Sequence, residues 1–217
     1  MRRLIDLSHT IIDGLVTYPG LPPPRVTDFL SREASREHYA PGTTFHIARI
    51  EMVANTGTYL DAPSHRYAEG ADLAALPLER VANLEGVVID LTGGRGLPAS
   101  ALEGLSLRGR AVLVRSGWSR YFGEPAYANG QHPFVTGEAA AAFAAGGAAL
   151  VGIDSLNIDD TEDRSRPAHS LLLAAGIPVV EHLTSLDQLP RTGFRFFAVP
   201  ARFAGVGTFP VRAFAIV

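Results

Sequence analysis

Four polar residues with chemically useful side chains occur at odd positions within residues 55–65: Asn55, Tyr59, Asp61 and His65. Side chains along an extended backbone alternate with a period of two, so all four would point to the same side. Imidazole and carboxylate groups bind borderline divalent metals, and amide and phenol groups donate hydrogen bonds. The spacing therefore predicts a polar face that could bind a metal ion and contact a substrate.

The backbone around this face is predicted to be a sheet edge or a loop. Gly57 allows a ligand or another segment to approach the chain closely. Pro63 lacks the N–H group that a central strand would need for its ladder of hydrogen bonds. We therefore expect residues 55–65 to be extended but to lie outside the middle of a sheet.

Asp61 and His65 are too few for a metal site and need partners from elsewhere in the chain. The sequence contains no cysteine, so the ligands must be His, Asp or Glu. His169, at the predicted start of a helix, and Glu181, at the predicted end of a strand, are the best candidates, because loops and element ends often present catalytic groups. Spacing alone does not establish a metal site, since isolated His and Asp residues commonly serve as surface or hydrogen-bonded structural groups.

The elements that must position these residues are short strands and helices. Apolar or alternating runs predict strands at residues 4–7, 45–53, 86–91, 111–115, 148–153 and 177–181, with further β-rich runs at 194–199 and 211–217. Thr136 predicts the N-cap of a helix over 137–145, and Pro167 predicts the start of a second helix that stops near Gly176. The pattern indicates a mixed α/β (α+β) protein with its helices in the second half.

Two irregular segments border the predicted site. Residues 18–24 are rich in proline, which removes backbone donors, and form a loop that could wrap a pocket. Residues 157–166 are almost entirely polar and are interpreted as an exposed loop beside the site.

Length and composition indicate one globular domain over residues 1–217. Hydrophobic residues make up 47% and charged residues 19%, which is enough apolar material for a core. A formal charge of −3 with scattered basic residues excludes the usual pattern of a nucleic-acid binder. No apolar stretch approaches the ~18 residues of a membrane span, and Asp6 interrupts the first apolar run too early for a signal peptide. We expect a cytoplasmic protein that acts on a small molecule and binds neither nucleic acid nor membrane.

Residues 55–65 resemble the signature His-x-Gly-Thr-His-x-Asp-x-Pro-x-His of the cyclase / kynurenine formamidase (arylformamidase) family. The matching residues are Gly57, Thr58, Asp61, Pro63 and His65. The resemblance extends along the whole chain, through residues 5–9, 18–20, 115–119 and 152–159, and then His169 and Glu181. The chain is therefore identified as a divergent member of this family.

The resemblance implies a swivelling β/β/α fold in one domain, with a mixed sheet and flanking helices, assembled into homodimers or homotetramers. It also implies a metal-dependent hydrolase that cleaves an amide, such as the formamide of N-formylkynurenine in tryptophan catabolism. Many members bind two metal ions. One ion is held by the two early motif histidines with the Asp and the Glu, and the other by the residues that correspond to Asp61, His65, His169 and Glu181.

Both early histidines of the motif are replaced in this chain, by Asn55 and Tyr59. Asn is a poor zinc ligand, and a neutral Tyr with a pKa of about 10 does not substitute for imidazole. We therefore expect at most one divalent ion, zinc or manganese, at the second set of ligands. Tyr59 and Asn55 are then predicted to donate hydrogen bonds near a developing oxyanion, with His169 as a third catalytic candidate.

These features predict hydrolysis of an amide, lactam or ester carbonyl in a small aromatic molecule. The loss of two ligands leaves another interpretation open, namely a non-hydrolytic cyclase or dehydratase, or a metal-free protein that binds a small molecule. Tyr18, Pro19 and Trp118 are candidate substrate-binding residues, although ordinary packing accounts equally well for the two aromatic side chains.

Arg66 and Arg164 are adjacent to proposed site residues and could bind a substrate carboxylate, although solvated surface arginines are more common. His46 lies at an even position of the preceding predicted strand and is interpreted as structural. The remaining histidines receive the same interpretation, although any of them could replace a lost ligand through space: His9, His38, His132 and His182.

Overall fold

The computed structural model describes residues 2–91 and 94–217. Within these residues the strands are β1 (Leu4–Asp6), β2 (Arg25–Leu30), β3 (Ile47–Glu51), β4 (Tyr59–Asp61), β5 (Leu84–Asp90), β6 (Gly96–Leu97), β7 (Arg110–Arg115), β8 (Phe134–Val135), β9 (Leu150–Ile153), β10 (Val179–Glu181), β11 (Phe194–Phe197), β12 (Thr208–Pro210) and β13 (Phe214–Ile216). The helices are α1 (Arg32–Ser35), α2 (Gly137–Gly146) and α3 (Pro167–Ala174). Short 3₁₀ turns cover Pro63–His65, Leu78–Arg80, Ala99–Leu102, Trp118–Tyr121, Pro125–Ala128 and Leu186–Gln188.

Nine of the strands form one mixed sheet in the order β1-β13-β11-β5-β7-β9-β10-β4-β12. The four strands β5, β7, β9 and β10 pair in parallel, and the pairings on either side of them are antiparallel. Parallel neighbours require connections that cross a face of the sheet. Helix α2 lies on the connection from β7 to β9, and α3 lies on the connection from β9 to β10.

Both faces of the central strands are buried. Along β7, Leu113 packs into one core, which also receives side chains from β1, β4, β11 and β13. Strands from opposite ends of the sheet thus share this core, which requires the sheet to curl around it. Val112 and Val114 point the other way, into a second core with Phe143 of α2 and Leu172 of α3. Full burial of each such side chain contributes on the order of 1.5–3 kcal/mol.

The two long helices begin in different ways. Thr136 precedes α2, and its hydroxyl accepts a hydrogen bond from the backbone N–H of Ala139. Arg166 precedes α3 and supplies no side-chain cap. Its place is taken by Asp159, whose carboxylate accepts the backbone N–H groups of Ala168 and His169. The start of α3 is therefore tied to a residue that also contacts the candidate site.

Strands β2 and β3 form a separate antiparallel ribbon, outside the main sheet. Almost every residue of both strands is exposed. The exposed residues include large apolar side chains, among them Val26, Phe29, Ile47 and Ile50, and Phe29 is 75% exposed. A two-stranded ribbon alone in water is at best marginally stable. The ribbon thus carries large apolar side chains on both of its faces that its own chain leaves exposed.

The prediction of a mixed sheet with flanking helices is confirmed, as are both long helices and the N-cap at Thr136. The prediction of one domain over residues 1–217 stays a prediction. No helix in the two described ranges combines the length and the apolar character needed to cross a bilayer.

One segment was not predicted from the sequence, and the prediction for another was wrong. Residues 25–35 contain β2 and α1, which the sequence pattern did not indicate. Residues 59–61 form β4, which lies inside the sheet between β10 and β12, whereas Pro63 had indicated an edge or a loop. The proline occurs after the strand has ended, as the first residue of the Pro63–His65 turn, where its missing N–H disrupts no strand pairing.

Candidate active site

Three neighbouring strands assemble the centre of the site. Strand β4 pairs antiparallel with both β10 and β12. The register places Tyr59 opposite Glu181, and Asp61 opposite Thr208. Directly opposed residues have Cβ atoms about 4.5–5.5 Å apart, so their side chains can touch. The sheet register therefore brings together polar residues that are far apart in sequence.

A cavity of about 330 Å³ opens beside these strands. Ligand pockets usually measure about 300–1,000 Å³, so this one suits a small molecule. The residues that line it are Tyr18, Leu21, Asn55, Tyr59, His65, Arg66, Asn157, Arg166, His169 and Glu181.

His169 lies in the first turn of α3, and Asp159 fixes the orientation of its ring. The Nδ1 atom of His169 is 2.6 Å from Oδ2 of Asp159, which is itself buried. A carboxylate only accepts hydrogen bonds, so Nδ1 is the donor and Nε2 remains for another partner. A carboxylate that orients a histidine in this way is typical of metal-binding imidazoles.

Thr208 links Asp61 to His65. Its hydroxyl donates to Oδ1 of Asp61 at 2.5 Å and lies 2.7 Å from Nδ1 of His65. The hydroxyl has one hydrogen, which it donates to Asp61 in a hydrogen bond. Nδ1 of His65 must therefore donate to the hydroxyl, and Nε2 of His65 carries no hydrogen and can bind another partner. Gly207 permits the close packing, because a Cβ atom at this position would come within 2.5 Å of the backbone nitrogen of His65.

Asp61, His65 and His169 fit a single divalent ion. Their ligand atoms lie within 4.8 Å of one another. Oδ2 of Asp61 is buried, has no hydrogen-bond partner among the described residues and lies 3.5 Å from Nε2 of His169. Two ligands of a tetrahedral zinc ion, each about 2.0–2.2 Å from it, are about 3.4 Å apart. Leaving a buried acceptor unpaired costs about 1–3 kcal/mol, and a bound ion would satisfy it.

Glu181 lies beside this cluster, and hydrogen bonds engage both of its oxygens. Oε1 is 3.6 Å from Nε2 of His169 and accepts the backbone N–H of Ile158 at 2.6 Å. Oε2 accepts the hydroxyl of Tyr59 at 2.7 Å. Each carboxylate oxygen has two lone pairs, so Oε1 could still reach an ion. Three of the four predicted ligands thus form one cluster, and Glu181 lies next to His169 but outside that cluster, with both of its oxygens hydrogen-bonded to other groups.

On the other side of Glu181, a buried hydrogen-bonded chain joins Tyr59, His182 and Tyr127. Nε2 of His182 lies 3.3 Å from the hydroxyl of Tyr59, and Nδ1 lies 2.8 Å from the hydroxyl of Tyr127. The hydroxyl of Tyr59 donates its hydrogen bond to Glu181. Nε2 of His182 is therefore the donor to Tyr59, and Nδ1 of His182 accepts a hydrogen bond from Tyr127. All the donors in this chain therefore point toward the Glu181 carboxylate.

Burial and charge set the protonation of these groups. Burial raises the pKa of Tyr59 well above its usual value, and the carboxylates of Glu181 and Asp61 add to the rise. Burial lowers the pKa of His182 to about 3, so this ring is neutral. Burial alone would lower the pKa of His169, but the Asp159 and Asp61 carboxylates outweigh it and raise the pKa to about 10. A bound metal ion would have to displace this proton.

The two carboxylates of the site differ. Burial raises the pKa of Glu181 to about 7, against the opposing effect of His169. Burial would raise the pKa of Asp61 as well, but the nearby His169, whose Nε2 lies 3.5 Å from Oδ2, and the charge of His65 bring it below its usual value. Asp61 is therefore the permanent anion of the pair at neutral pH, and Glu181 is the group that can exchange a proton.

The other predicted site residues are divided between the cavity and its surroundings. Tyr18 and Asn55 line the cavity together with Tyr59, whereas Pro19 and Trp118 are not among its lining residues. The indole Nε1 of Trp118 donates to the backbone carbonyl of Tyr127 at 3.0 Å.

The residues interpreted from the sequence as structural or surface groups also lie in different places. His46 lies 2.8 Å from Asp28 at the exposed ribbon, away from the cavity. Arg66 lines the cavity, and Arg166 does so in place of Arg164, which is exposed.

Sequence reasoning missed Asp159, Thr208 and the contact of His182 with Tyr59. Residues 157–166 were interpreted as an exposed loop, but Asn157, Ile158 and Asp159 are buried, and only the later part reaches solvent. Asp159 precedes His169 by ten residues, much farther than the two or three residues of an ordinary N-cap, so no local capping pattern marked it. Thr208 carried no signal, because its contact with Asp61 spans 147 residues.

A family model described as “Putative cyclase” matches residues 5–160 of the chain. Solved structures also match over its full length. One is a potential metal-dependent hydrolase with cyclase activity, 25% identical, with 98% of that chain covered and a TM-score of 0.80. Another is isatin hydrolase A from Labrenzia aggregata bound to benzyl benzoate, 25% identical, with 94% covered and a TM-score of 0.83.

A third structure, described as a predicted metal-dependent hydrolase from Bacillus stearothermophilus, is 26% identical, with 98% of that chain covered and a TM-score of 0.77. These likenesses cover 100% of the present chain. They confirm the swivelling cyclase-like fold that the sequence predicted.

Proposed function

Because the chain belongs to the cyclase family, we propose that it is a metal-dependent hydrolase of an amide, lactam or ester carbonyl in a small aromatic molecule, with arylformamides as the first substrate class. Similarity to isatin hydrolase A, and to two structures described as a potential and a predicted metal-dependent hydrolase, supports this reaction class. The observation that carries the proposal is the buried Oδ2 of Asp61, which lacks a hydrogen-bond partner among the described residues and faces Nε2 of His169 at 3.5 Å.

The ligands of the ion would be Oδ2 of Asp61, Nε2 of His169 and Nε2 of His65, with Oε1 of Glu181 beside them. When bound, a zinc or manganese ion supplies Lewis acidity, which makes water a better nucleophile and a carbonyl a better electrophile. Asp159 and Thr208 orient the ligand side chains. Asp159 binds Nδ1 of His169 and Thr208 binds Oδ1 of Asp61, which leaves Nε2 and Oδ2 for the ion.

In the proposed reaction, water adds to the carbonyl carbon, the bond from that carbon to nitrogen or oxygen breaks, and the leaving atom takes up a proton. Glu181 is the proposed carrier of this proton, because its raised pKa suits both acceptance and release near neutral pH. Tyr59 and Asn55 line the cavity and are the proposed donors to the developing oxyanion. Tyr59 would have to turn its proton from Glu181 toward the substrate.

A second candidate function is a non-hydrolytic cyclisation or dehydration, or binding alone without a metal. It is favoured by the hydrogen bonds that already occupy both oxygens of Glu181 and by the replacement of two motif histidines. A measurement of bound metal distinguishes this second candidate from the metal-dependent hydrolase.

The test is to purify the protein without chelators, measure bound metal by mass spectrometry, and assay an arylformamide, isatin and an aryl ester with added zinc or manganese. We expect about one ion per chain and hydrolysis of at least one substrate. Protein that carries no metal and gains no activity with either ion would overturn the hydrolase and leave the second candidate.

We also propose that the protein forms a homodimer or homotetramer through the ribbon of β2 and β3. The support is the exposure of Phe29 and Ile50 on a ribbon that its own chain leaves uncovered. Light scattering on the wild type should give a multiple of 23.1 kDa, and Phe29→Ser with Ile50→Ser should shift the mass toward one chain. A wild-type protein that is already a single chain at all concentrations would contradict the proposal.

A further inference from the structure

Two arginines line the cavity next to proposed metal ligands. Arg66 directly follows His65, and Arg166 precedes α3, three residues before His169. The chain thus places one arginine close in sequence to each of the two ligand histidines, and both arginines line the cavity.

Neighbouring groups hold both arginines without neutralising them. Nε of Arg66 donates to the hydroxyl of Ser170 at 3.4 Å, and its guanidinium lies 5.3 Å from the ring centre of Tyr67. Nη1 of Arg166 donates to the backbone carbonyl of Asp160 at 2.9 Å. Across residues 2–91 and 94–217, no carboxylate oxygen lies within the 4.0 Å ion-pair distance of either guanidinium. Each retains donors for a further acceptor, since guanidinium has five N–H groups.

The cavity is therefore divided by charge. Its carboxylates, Glu181 and the adjoining Asp61, are at most 1% exposed and lie at the buried inner end with His169. Arg66 and Arg166 are more exposed and lie toward solvent. An anionic group would be repelled from the inner end and attracted to the arginines, while a neutral carbonyl could enter.

We propose that the substrate carries a carboxylate in addition to the bond that is cleaved, and that Arg66 and Arg166 bind this carboxylate. Arginine suits the task because its planar, permanently charged fork matches the two oxygens of a carboxylate. The cavity volume of about 330 Å³ suits a small molecule, so the acid that we propose is a small one. This inference rests on the proposed hydrolase and narrows its substrate class.

The first experiment compares N-formylanthranilate with formanilide, two arylformamides that differ only in the carboxylate, using the metal-loaded full chain. We expect kcat/KM to be higher for the acid by about tenfold to a hundredfold, since hydrogen bonds between charged groups are stronger than those between neutral ones. The preference should shrink at high salt, because both arginines are partly exposed. Equal rates, or faster cleavage of formanilide, would overturn the inference.

The variants Arg66→Met and Arg166→Met should each lower kcat/KM for the acid by about tenfold or more, mainly through KM, and leave formanilide within about twofold. Arg164→Met is the matched control, because Arg164 is exposed on the same loop and does not line the cavity. Arg164→Met should leave kcat/KM unchanged for both substrates. Equal losses on both substrates would show that the arginines act on structure and not on the carboxylate.

A binding measurement keeps this inference separate from the hydrolase proposal. Calorimetry with benzoate and benzamide requires no turnover, so it remains informative if neither arylformamide is cleaved. Tighter binding of benzoate, lost in Arg66→Met and Arg166→Met but kept in Arg164→Met, supports the arginine site. Equal binding of the two compounds, or the same binding in all the variants, overturns it whatever the reaction proves to be.

Discussion

The two sides of the cavity have diverged to different degrees. On the metal side, which we define as Asp61, His65 and His169, the motif residues are present and their supporting groups are in place. On the aromatic side, which we define as Tyr59, His182 and Tyr127, a motif histidine has been replaced and the space is filled by a hydrogen-bonded chain.

The difference between the two sides is one of unsatisfied against satisfied hydrogen-bonding capacity. On the metal side, the buried Oδ2 of Asp61 has no partner among the described residues. On the aromatic side, every hydroxyl and ring nitrogen of the chain has one. A buried polar group without a partner is costly, so it indicates a ligand that completes it. The comparison therefore favours the metal side as the place where the proposed ion would bind, and the aromatic side as a group that would position the substrate by hydrogen bonds.

The largest effect is expected from Asp61→Asn, which keeps the shape of the side chain but removes the anionic ligand. We expect loss of the metal and a fall in hydrolysis of more than about a hundredfold, since loss of a supporting group alone costs ~10–100-fold. Metal content and kcat/KM check this. Asp187→Asn, at an exposed aspartate, is the control and should behave as the wild type. Retention of a full complement of metal in Asp61→Asn would break the assignment of the metal side.

Tyr59→Phe tests the aromatic side and should lower kcat by about a hundredfold, the usual cost of removing an oxyanion donor, with metal content unchanged. Tyr127→Phe removes a hydroxyl one step further from the cavity, which Tyr127 does not line, so its effect on kcat should be smaller. Loss of metal in Tyr59→Phe would instead make Tyr59 a ligand and erase the distinction between the two sides.

Asp159→Asn should weaken metal binding by about 10–100-fold, because His169 loses the anion that orients its ring. It also weakens the cap of α3, which should cost roughly 1 kcal/mol of stability. Metal titration and thermal unfolding measure the two effects. Thr136→Ala removes the cap of α2 and should cost similar stability with no change in metal affinity. Equal metal affinities in the two variants would show that Asp159 acts only on the helix.

The double variant Asn55→His with Tyr59→His restores both motif histidines. It should produce the smallest of these changes, a rise in metal content from about one ion per chain to about two. Imidazole is a good ligand for zinc where amide and neutral phenol are poor. The measurement is metal stoichiometry at saturating zinc. The two single variants serve as controls and should stay near one ion. A double variant that still binds one ion would mean that other features of the aromatic side prevent a second.

The sequence could predict the parts of this site that depend on local spacing. Asp61 and His65 belong to one motif, and the structure brings them to the predicted partners His169 and Glu181. The residues that support these ligands could not be predicted in the same way. Thr208 meets Asp61 only because β12 pairs with β4, and a pairing of strands so distant leaves no periodic signal in the sequence.

The same limit explains the error at Pro63. A proline within an extended segment argues against a central strand, but the rule applies only where the strand actually continues. Here the strand ends at Asp61, and the proline begins the turn that carries His65. Of the two strands of the ribbon, β3 lies within the strand predicted at residues 45–53, whereas β2 was not predicted.

The register of β4 between β10 and β12 also has a consequence for the folding of the chain. The contacts of Asp61 with Thr208 and of Tyr59 with Glu181 span 147 and 122 residues. Contacts of such sequence separation form slowly, because the intervening chain must be ordered or looped out first. The ligand cluster is thus complete only after the last strands have joined the sheet. Uptake of the ion during refolding would therefore report the arrival of the C-terminal strands, and a chelator should act on the late stages of folding and leave the early ones unchanged.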